Sequence, residues 1–334
     1  MKKILFILLM VVISGIGSGK VIADFPDLLN PDRMMLGDGK LYVIQDYSVH
    51  VYSMKDFSLK KKVGKQGEGP GEFTGYLMMA LHSGNLYLNS SGKLSVYTPD
   101  GEMIREVKSR DSVSGVYTPF RDKFIGRGME IDKERNRFTL LNIYNKELIR
   151  EKTVIREPHS SNFEKGVIIP FDSTFNFHIL GKKLYLVNGR EFEIDVYGPS
   201  MNKEKIIKWN YNKVKFGEKD KEKVIENLRT NPRIKAFADE ILKRQRYPKY
   251  YPSILGLYDN GINLFVMTHR WEGNNIEFLI FDPEGKYIQQ LFIPFTMKSL
   301  YRAYPWDIKG NRFLQLLENE DDEWELHESI LNLK

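Results

Sequence analysis

The segment Thr268-His269-Arg270-Trp271-Glu272-Gly273 places three chemically versatile side chains next to one another. An indole offers an apolar platform with a polar edge, and a guanidinium offers a planar fork of donors. Trp271 and Arg270 beside His269 therefore have the means to hold an anion or a sugar. The plainer alternative is a solvated loop whose indole packs on neighbouring strands. A second concentration runs through Arg233, Lys243, Arg244 and Arg246 into Tyr247, Tyr250 and Tyr251. It could face an acidic ligand, although such charges are also the wet side of an ordinary helix.

Covalent and metal chemistry find less footing. The chain of 334 residues has no cysteine, which removes disulfides, thiolate nucleophiles and Cys-based zinc or iron–sulfur sites. No G-x-S-x-G elbow occurs, and no base is locatable for a Ser or Thr nucleophile. His82, His178 and His269 fall at unlike positions of the repeat described below, and His50, His159 and His327 read as surface or core residues in outer strands or loops. No metal site is expected. The acidic run Glu318 to Glu325 lacks the alternating oxygen ligands and central glycine of a calcium loop and reads as a polar turn. Gly15-Ile16-Gly17-Ser18-Gly19-Lys20 only half imitates a phosphate loop, because Ser14 stands where a glycine is needed and Val21 where Ser or Thr is needed. No cofactor is expected.

The elements that would carry these residues are short strands. Forty-two per cent of residues are hydrophobic and 13% aromatic, with 18 Tyr, 20 Phe and only 14 Pro, a composition suited to pleated, half-buried strands around a sizeable core. One phrase recurs six times, each copy a polar turn followed by alternating apolar positions. The copies are Lys40-Leu41-Tyr42-Val43, Asn85-Leu86-Tyr87-Leu88, Lys123-Phe124-Ile125-Gly126, Lys183-Leu184-Tyr185-Leu186, Asn263-Leu264-Phe265-Val266 and Arg312-Phe313-Leu314-Gln315. Each is followed by a second alternating run, such as Val49 to Tyr52 or Ile276 to Phe281, and preceded by another apolar run. In most copies a tight turn such as Asp282-Pro283-Glu284-Gly285 then leads to a further strand. Four strands per unit at roughly 40-residue spacing spell a propeller.

Between the first two units lies Gly64-Lys65-Gln66-Gly67-Glu68-Gly69-Pro70-Gly71-Glu72-Phe73, too rich in glycine and proline for a helix or strand interior. With the "LYV" strand that follows it, this passage resembles the NHL-type six-bladed β-propellers. The resemblance implies an all-β six-bladed ring, with function on the face that gathers two kinds of loop near the central channel. Those loops join the second and third strands of a blade or one blade to the next. They bring Asp46, Asn188, Arg190 and Tyr251 together with His269, Arg270 and Trp271 as the expected ligand-binding set. Some related propellers are lactonases or lyases with a channel metal, and that is the competing reading.

The sixth unit lacks an outer strand, and Lys20 to Phe25 is free to supply it, so the N-terminal segment is expected to close the ring. Between the fourth and fifth units, an insertion at about 217–247 repeats Val224, Leu228, Ile234, Phe237, Ile241 and Leu242 at helical spacing. It is interrupted at Asn231-Pro232, which predicts two short helices; loops of this length often act as lids. At the start, Lys2 and Lys3 precede the apolar run Ile4 to Ile13 and a small-residue stretch, the order of a signal peptide expected to span 1–23, with a cut near Gly19 as the alternative, and with the propeller over 24–334. Ten apolar residues are too few to span a bilayer, so no stable membrane span is expected after cleavage. Removing Lys2, Lys3 and Lys20 takes the formal charge from +6 to +3, too weak a bias for a nucleic-acid partner. The leading expectation is a secreted or periplasmic, non-catalytic binding propeller that presents its channel face to a peptide, glycan or protein partner.

Overall fold

A computed structural model describes residues 19–110, 114–158, 167–171, 175–232 and 234–334. Most of the expected leader, together with His159 and Arg233, lies outside the described residues. Within them the chain forms six four-stranded antiparallel sheets. Blade 1 is Pro31–Gly37, Lys40–Gln45, Ser48–Ser53 and Leu59–Val63. Blade 2 begins at Met78–His82, blade 3 at Ser114–Phe120, blade 4 at Phe175–Leu180 and blade 5 at Gly256–Asp259. Blade 6 takes three strands from the C-terminal end, Trp306–Lys309, Arg312–Glu318 and Trp324–Ile330.

All six recurring phrases become second strands. These strands are sandwiched between neighbouring blades, so both of their faces are apolar: Leu41, Tyr42, Val43 and Ile44 are each at most 1% exposed. The outer strand of the same blade, Leu59–Val63, meets water along most of its length and carries three lysines. Radial position in the blade thus sets the hydrophobic pattern.

The fourth strand of blade 6 comes from the opposite end of the chain. Lys20–Asp24 pairs antiparallel with Trp324–Ile330, from Lys20 opposite Glu328 to Asp24 opposite Glu325. The Phe25 amide then donates to the Trp324 carbonyl at 2.7 Å. Phe25 and Leu28 pack into one apolar cluster with Leu314, Trp324 and Leu326, so the closure is hydrophobic as well as hydrogen-bonded. An edge strand is thereby paired. The expected leader boundary at 23 falls inside this closing strand.

The Gly64 to Phe73 passage is a compact knot rather than a plain turn. Lys65–Gln66 pairs in parallel with Glu72–Phe73. Lys93, only 6% exposed, donates from Nζ to the Gly69 carbonyl at 3.0 Å and to the Glu72 carbonyl, over the Phe73 ring. Gly64 has φ +87°, and a Cβ there would meet Phe73 and the Tyr47 carbonyl at 2.8 and 2.9 Å, so only glycine fits.

The insertion holds two helices as expected. Helix α1 is Glu218–Thr230, begun at Gly217, whose amide donates to Asp220 Oδ2 at 2.8 Å. It ends at Asn231 in extended conformation, as the residue before a proline must. A 3₁₀ turn, Lys235–Phe237, leads to α2, Ala238–Arg244. Val224, Leu228 and Ala238 form the helices' buried stripe, with Ile234, Ile241 and Leu242 against it. Phe237 departs from the expected stripe and is 64% exposed, because the 3₁₀ turn breaks the helical period there. Among the described residues no helix is long and apolar enough to cross a membrane.

Candidate functional site

Beneath the insertion, on the channel face, lies a cleft of about 1370 Å³. Strands position its deeper walls: Arg127 on the second strand of blade 3, Phe175 and Asn176 at the start of blade 4, and His269 and Trp271 on Leu264–Glu272 of blade 5. Blade-to-blade connections supply the rest. Ile168 and Phe171 come from the passage between blades 3 and 4, and Tyr251, Ile254 and Leu255 from the return of the insertion. Leu300 and Tyr301 come from the hairpin Met297–Ser299 and Arg302–Ala303, and α1 contributes Asp220, Lys223, Glu226 and Asn227.

Phe171 is the hub of the aromatic wall. Its ring centre lies 4.9 Å from Tyr301, 5.1 Å from Tyr251 and 5.5 Å from His269, and Tyr251 stacks on His269 at 4.4 Å and 21°. Burial, and then the positive charge of Arg190, hold the His269 imidazole down at about 4, so it is neutral at physiological pH. Burial, and then Asp220, push the Tyr251 hydroxyl well above the ordinary phenol value. The rings form an uncharged surface suited to apolar or stacking contacts.

Of the residues expected from sequence, His269, Trp271 and Tyr251 line the cleft. Arg270 does not: it sits between His269 and Trp271 in the extended strand and turns the other way. Its guanidinium pairs with Glu277 at 3.4 Å, donates to the Asn212 carbonyl at 2.6 Å and lies over Tyr211. Glu277, 1% exposed, also accepts from Thr268 at 2.6 Å and Tyr211 at 2.8 Å, so Arg270 completes a buried network that moors the start of the insertion. Arg190 stands beside the cleft and moors its other end, donating to the Tyr250 carbonyl at 2.7 Å. Asp46 is exposed in the tight turn of blade 1 with φ +53° and takes no part in the cleft. Asn188 ends the second strand of blade 4 opposite Phe175; its side chain lies outside what the structure describes.

The expected histidine placements change in three cases. His269 lies within its strand, which continues to Glu272, and His50 and His327 occupy third strands. Among the described residues, no three His, Asp or Glu side chains gather to hold a metal ion.

Sequence reasoning missed Phe171, Tyr301 and Arg127. The first two lie on blade-to-blade connections, the class of loop expected on this face, and their aromatic character was the available signal. Arg127 carried none. It lines the cleft with its Cζ 5.5 Å from the centre of the Phe175 ring, and no hydrogen-bond or ion-pair partner engages it among the described residues. Its side chain is exposed on the cleft wall, and partial desolvation by the surrounding protein lowers its pKa from the usual guanidinium value. Asn227 likewise keeps a buried side-chain oxygen with no partner.

Six blades closed by the N-terminal segment define a six-bladed β-propeller. Among solved structures the chain is similar to a Bacteroides fragilis protein described as exported, at 12% identity over 93% of each chain with a TM-score of 0.54. It also matches regucalcin, a calcium-binding protein of Agrobacterium tumefaciens, at 11% identity over 95% and 96% of the two chains with a TM-score of 0.45. A luciferin-regenerating enzyme matches at 11% identity over the same shares with a TM-score of 0.43. The first likeness shows the fold alone. No family model and no curated protein matches this sequence.

Proposed function

We propose that the protein is an exported, non-catalytic binding propeller whose channel-face cleft receives a peptide, glycan or segment of a protein partner. The observation that carries this reading is the cleft of about 1370 Å³, walled by Phe171, Tyr251, His269, Trp271 and Tyr301 and sheltered by a helical insertion. Its volume exceeds what a small molecule needs, its rings offer stacking surfaces, and its histidine is neutral. The test titrates peptide and oligosaccharide panels against the purified protein and maps protection by hydrogen exchange. Protection at 167–171, 251–255 and 297–301 is the expected result. Protection confined to another surface, or turnover accompanied by a tightly bound metal, would overturn the reading in favour of a different site or an enzyme.

The leader peptide belongs to the same proposal. A cut after Ala23 would strip Lys20 to Ala23 from the closing strand, whereas a cut at Gly19 preserves every pairing with Trp324–Ile330. We therefore place the mature N-terminus at Lys20. N-terminal sequencing of the exported protein checks this, and a start at Asp24 would refute it.

A further inference from the structure

We infer that the ligand of the cleft is an uncharged oligosaccharide whose sugar rings lie on Trp271 and Tyr301. The inference rests on the reading of the cleft as a binding site and names the class of molecule it recognises. A sugar ring has an apolar face of C–H groups and a rim of hydroxyls, each both a donor and an acceptor. A site for it needs open aromatic planes, polar groups of both kinds beside them, and little net charge.

The cleft has open planes. Trp271 is 40% exposed and Tyr301 51% exposed, the two most open rings of its lining. Trp271 has one ring neighbour, Phe295, 6.1 Å away and inclined at 66°, so no ring stacks in parallel on the indole. Tyr301 meets Phe171 at 4.9 Å and 41°. Trp271 follows His269 on the same strand, and Phe171 touches both His269 and Tyr301, so the two open rings belong to one aromatic wall.

Beside that wall the lining is polar and its charges balance: Arg127, Lys215 and Lys223 stand against Glu157, Asp220 and Glu226. Such a lining offers donors and acceptors without selecting a ligand of either sign. Two of its groups are unspent. The buried side-chain oxygen of Asn227 has no partner and can accept from a hydroxyl. The indole N–H of Trp271, unpartnered among the described residues, can donate to one. At about 1370 Å³ the cleft exceeds the roughly 300–1,000 Å³ of a pocket for a drug-sized molecule, which leaves room for several sugar units. An apolar peptide fits this lining less well. Its side chains call for closed apolar pockets, and here the rings with the most open surface are flat and stand among charges.

The experiment follows tryptophan emission and calorimetric heat while the full-length mature protein is titrated with four uncharged hexamers. These are cellohexaose, maltohexaose, N-acetylchitohexaose and the methyl ester of hexagalacturonate. The last two are paired with their charged forms, deacetylated chitohexaose and free hexagalacturonate. The blocked peptide N-acetyl-Ala-Leu-Phe-Ala-Leu-Phe-amide represents the alternative occupant. At least one uncharged hexamer is expected to bind, about tenfold more tightly than its own monosaccharide, and neither charged hexamer more tightly than its neutral partner. Trp271→Ala and Tyr301→Ala should each weaken that binding about tenfold with melting curves near those of the unaltered protein, because both rings are open. Binding of the peptide and of no uncharged hexamer would overturn the inference while leaving the cleft reading standing. So would a charged hexamer that binds more tightly than its neutral partner, or hexamer binding that neither variant weakens. Failure of every probe to bind would overturn both. The titrations on the unaltered protein need no variant, so a poorly folded Trp271→Ala does not blunt the test.

Discussion

Two connections between blades, both on the channel face, show opposite uses of polar groups. The Gly64 to Phe73 passage is closed upon itself. Lys93 binds its carbonyls, Glu72 accepts the Gly69 amide at 2.9 Å, and Glu106 accepts the Gly71 amide at 2.9 Å. The insertion between blades 4 and 5 is satisfied where it is moored, at Glu277 and Arg190, yet it shelters a cleft whose Arg127 guanidinium and Asn227 amide oxygen have no hydrogen-bond or ion-pair partner among the described residues. The passage with the recognisable motif is structural, and the passage without one holds the candidate site. A motif of glycines reports a demanding backbone, and a backbone that satisfies its own polar groups has little left for a ligand.

This contrast predicts that substitutions in the first region lower stability and spare binding, with the reverse in the second. The largest effect is expected for Lys93→Ala, which leaves two carbonyls and the buried end of Glu106 without their cation and should cost about 3 kcal/mol of unfolding free energy. Denaturant titration measures it; a loss of ligand binding at full stability would break the contrast. Gly64→Ala comes next, at about 2 kcal/mol, from a strained positive φ and a clash with Phe73 and Tyr47.

The cleft also leaves a pH signature. The His269 pKa falls from 6.5 unfolded to about 4 folded, so the unfolded chain takes the proton first. Its contribution is complete above about pH 6.5 and lost as pH falls towards 4, on the order of 3 kcal/mol in all. Asp307 opposes it: burial raises that carboxyl from 3.8 to about 7, so its contribution is present at low pH and lost as pH rises through 7. Melting curves at pH 7 and pH 5 should therefore differ less in the native protein than in Asp307→Asn, where the lowered histidines, His269 and His50, act without the opposing carboxyl. Equal slopes in the two proteins would count against the raised Asp307 carboxyl, and an Asp307→Asn protein as stable at pH 5 as at pH 7 would count against the buried imidazole. The smallest change in stability, under about 1 kcal/mol, is expected for Tyr301→Ala, since that ring is half exposed. The same variant should weaken ligand binding about tenfold through lost stacking, read by calorimetry.

Much of the ring was legible because strand signals are local. Period-two alternation over four to eight residues, punctuated by turns such as Asp282-Pro283-Glu284-Gly285, marks each strand independently of its neighbours. The helices of the insertion were legible for the same reason, up to Asn231-Pro232. The candidate site was only partly so. His269 and Trp271 reached the cleft and Arg270 did not, because adjacent residues of a strand face opposite ways and the strand ran on to Glu272, past the Val266 at which its apolar phrase ends. Asp46 shares the face but belongs to a blade on the far side of the cleft, and a face assignment gives no angular position around the ring.

The amino-acid order alone determined the number of blades, the identity of their second strands, the donation of the closing strand by the N-terminal segment, and the place of the helical insertion. These follow from short-range periodicity and from the need to pair every strand edge. The tertiary structure decided which side chains share a cavity, which charges are neutralised within the protein and which stay open. Such facts depend on contacts among residues as far apart as Arg127, Asn227 and Tyr301, and on burial that no local pattern encodes.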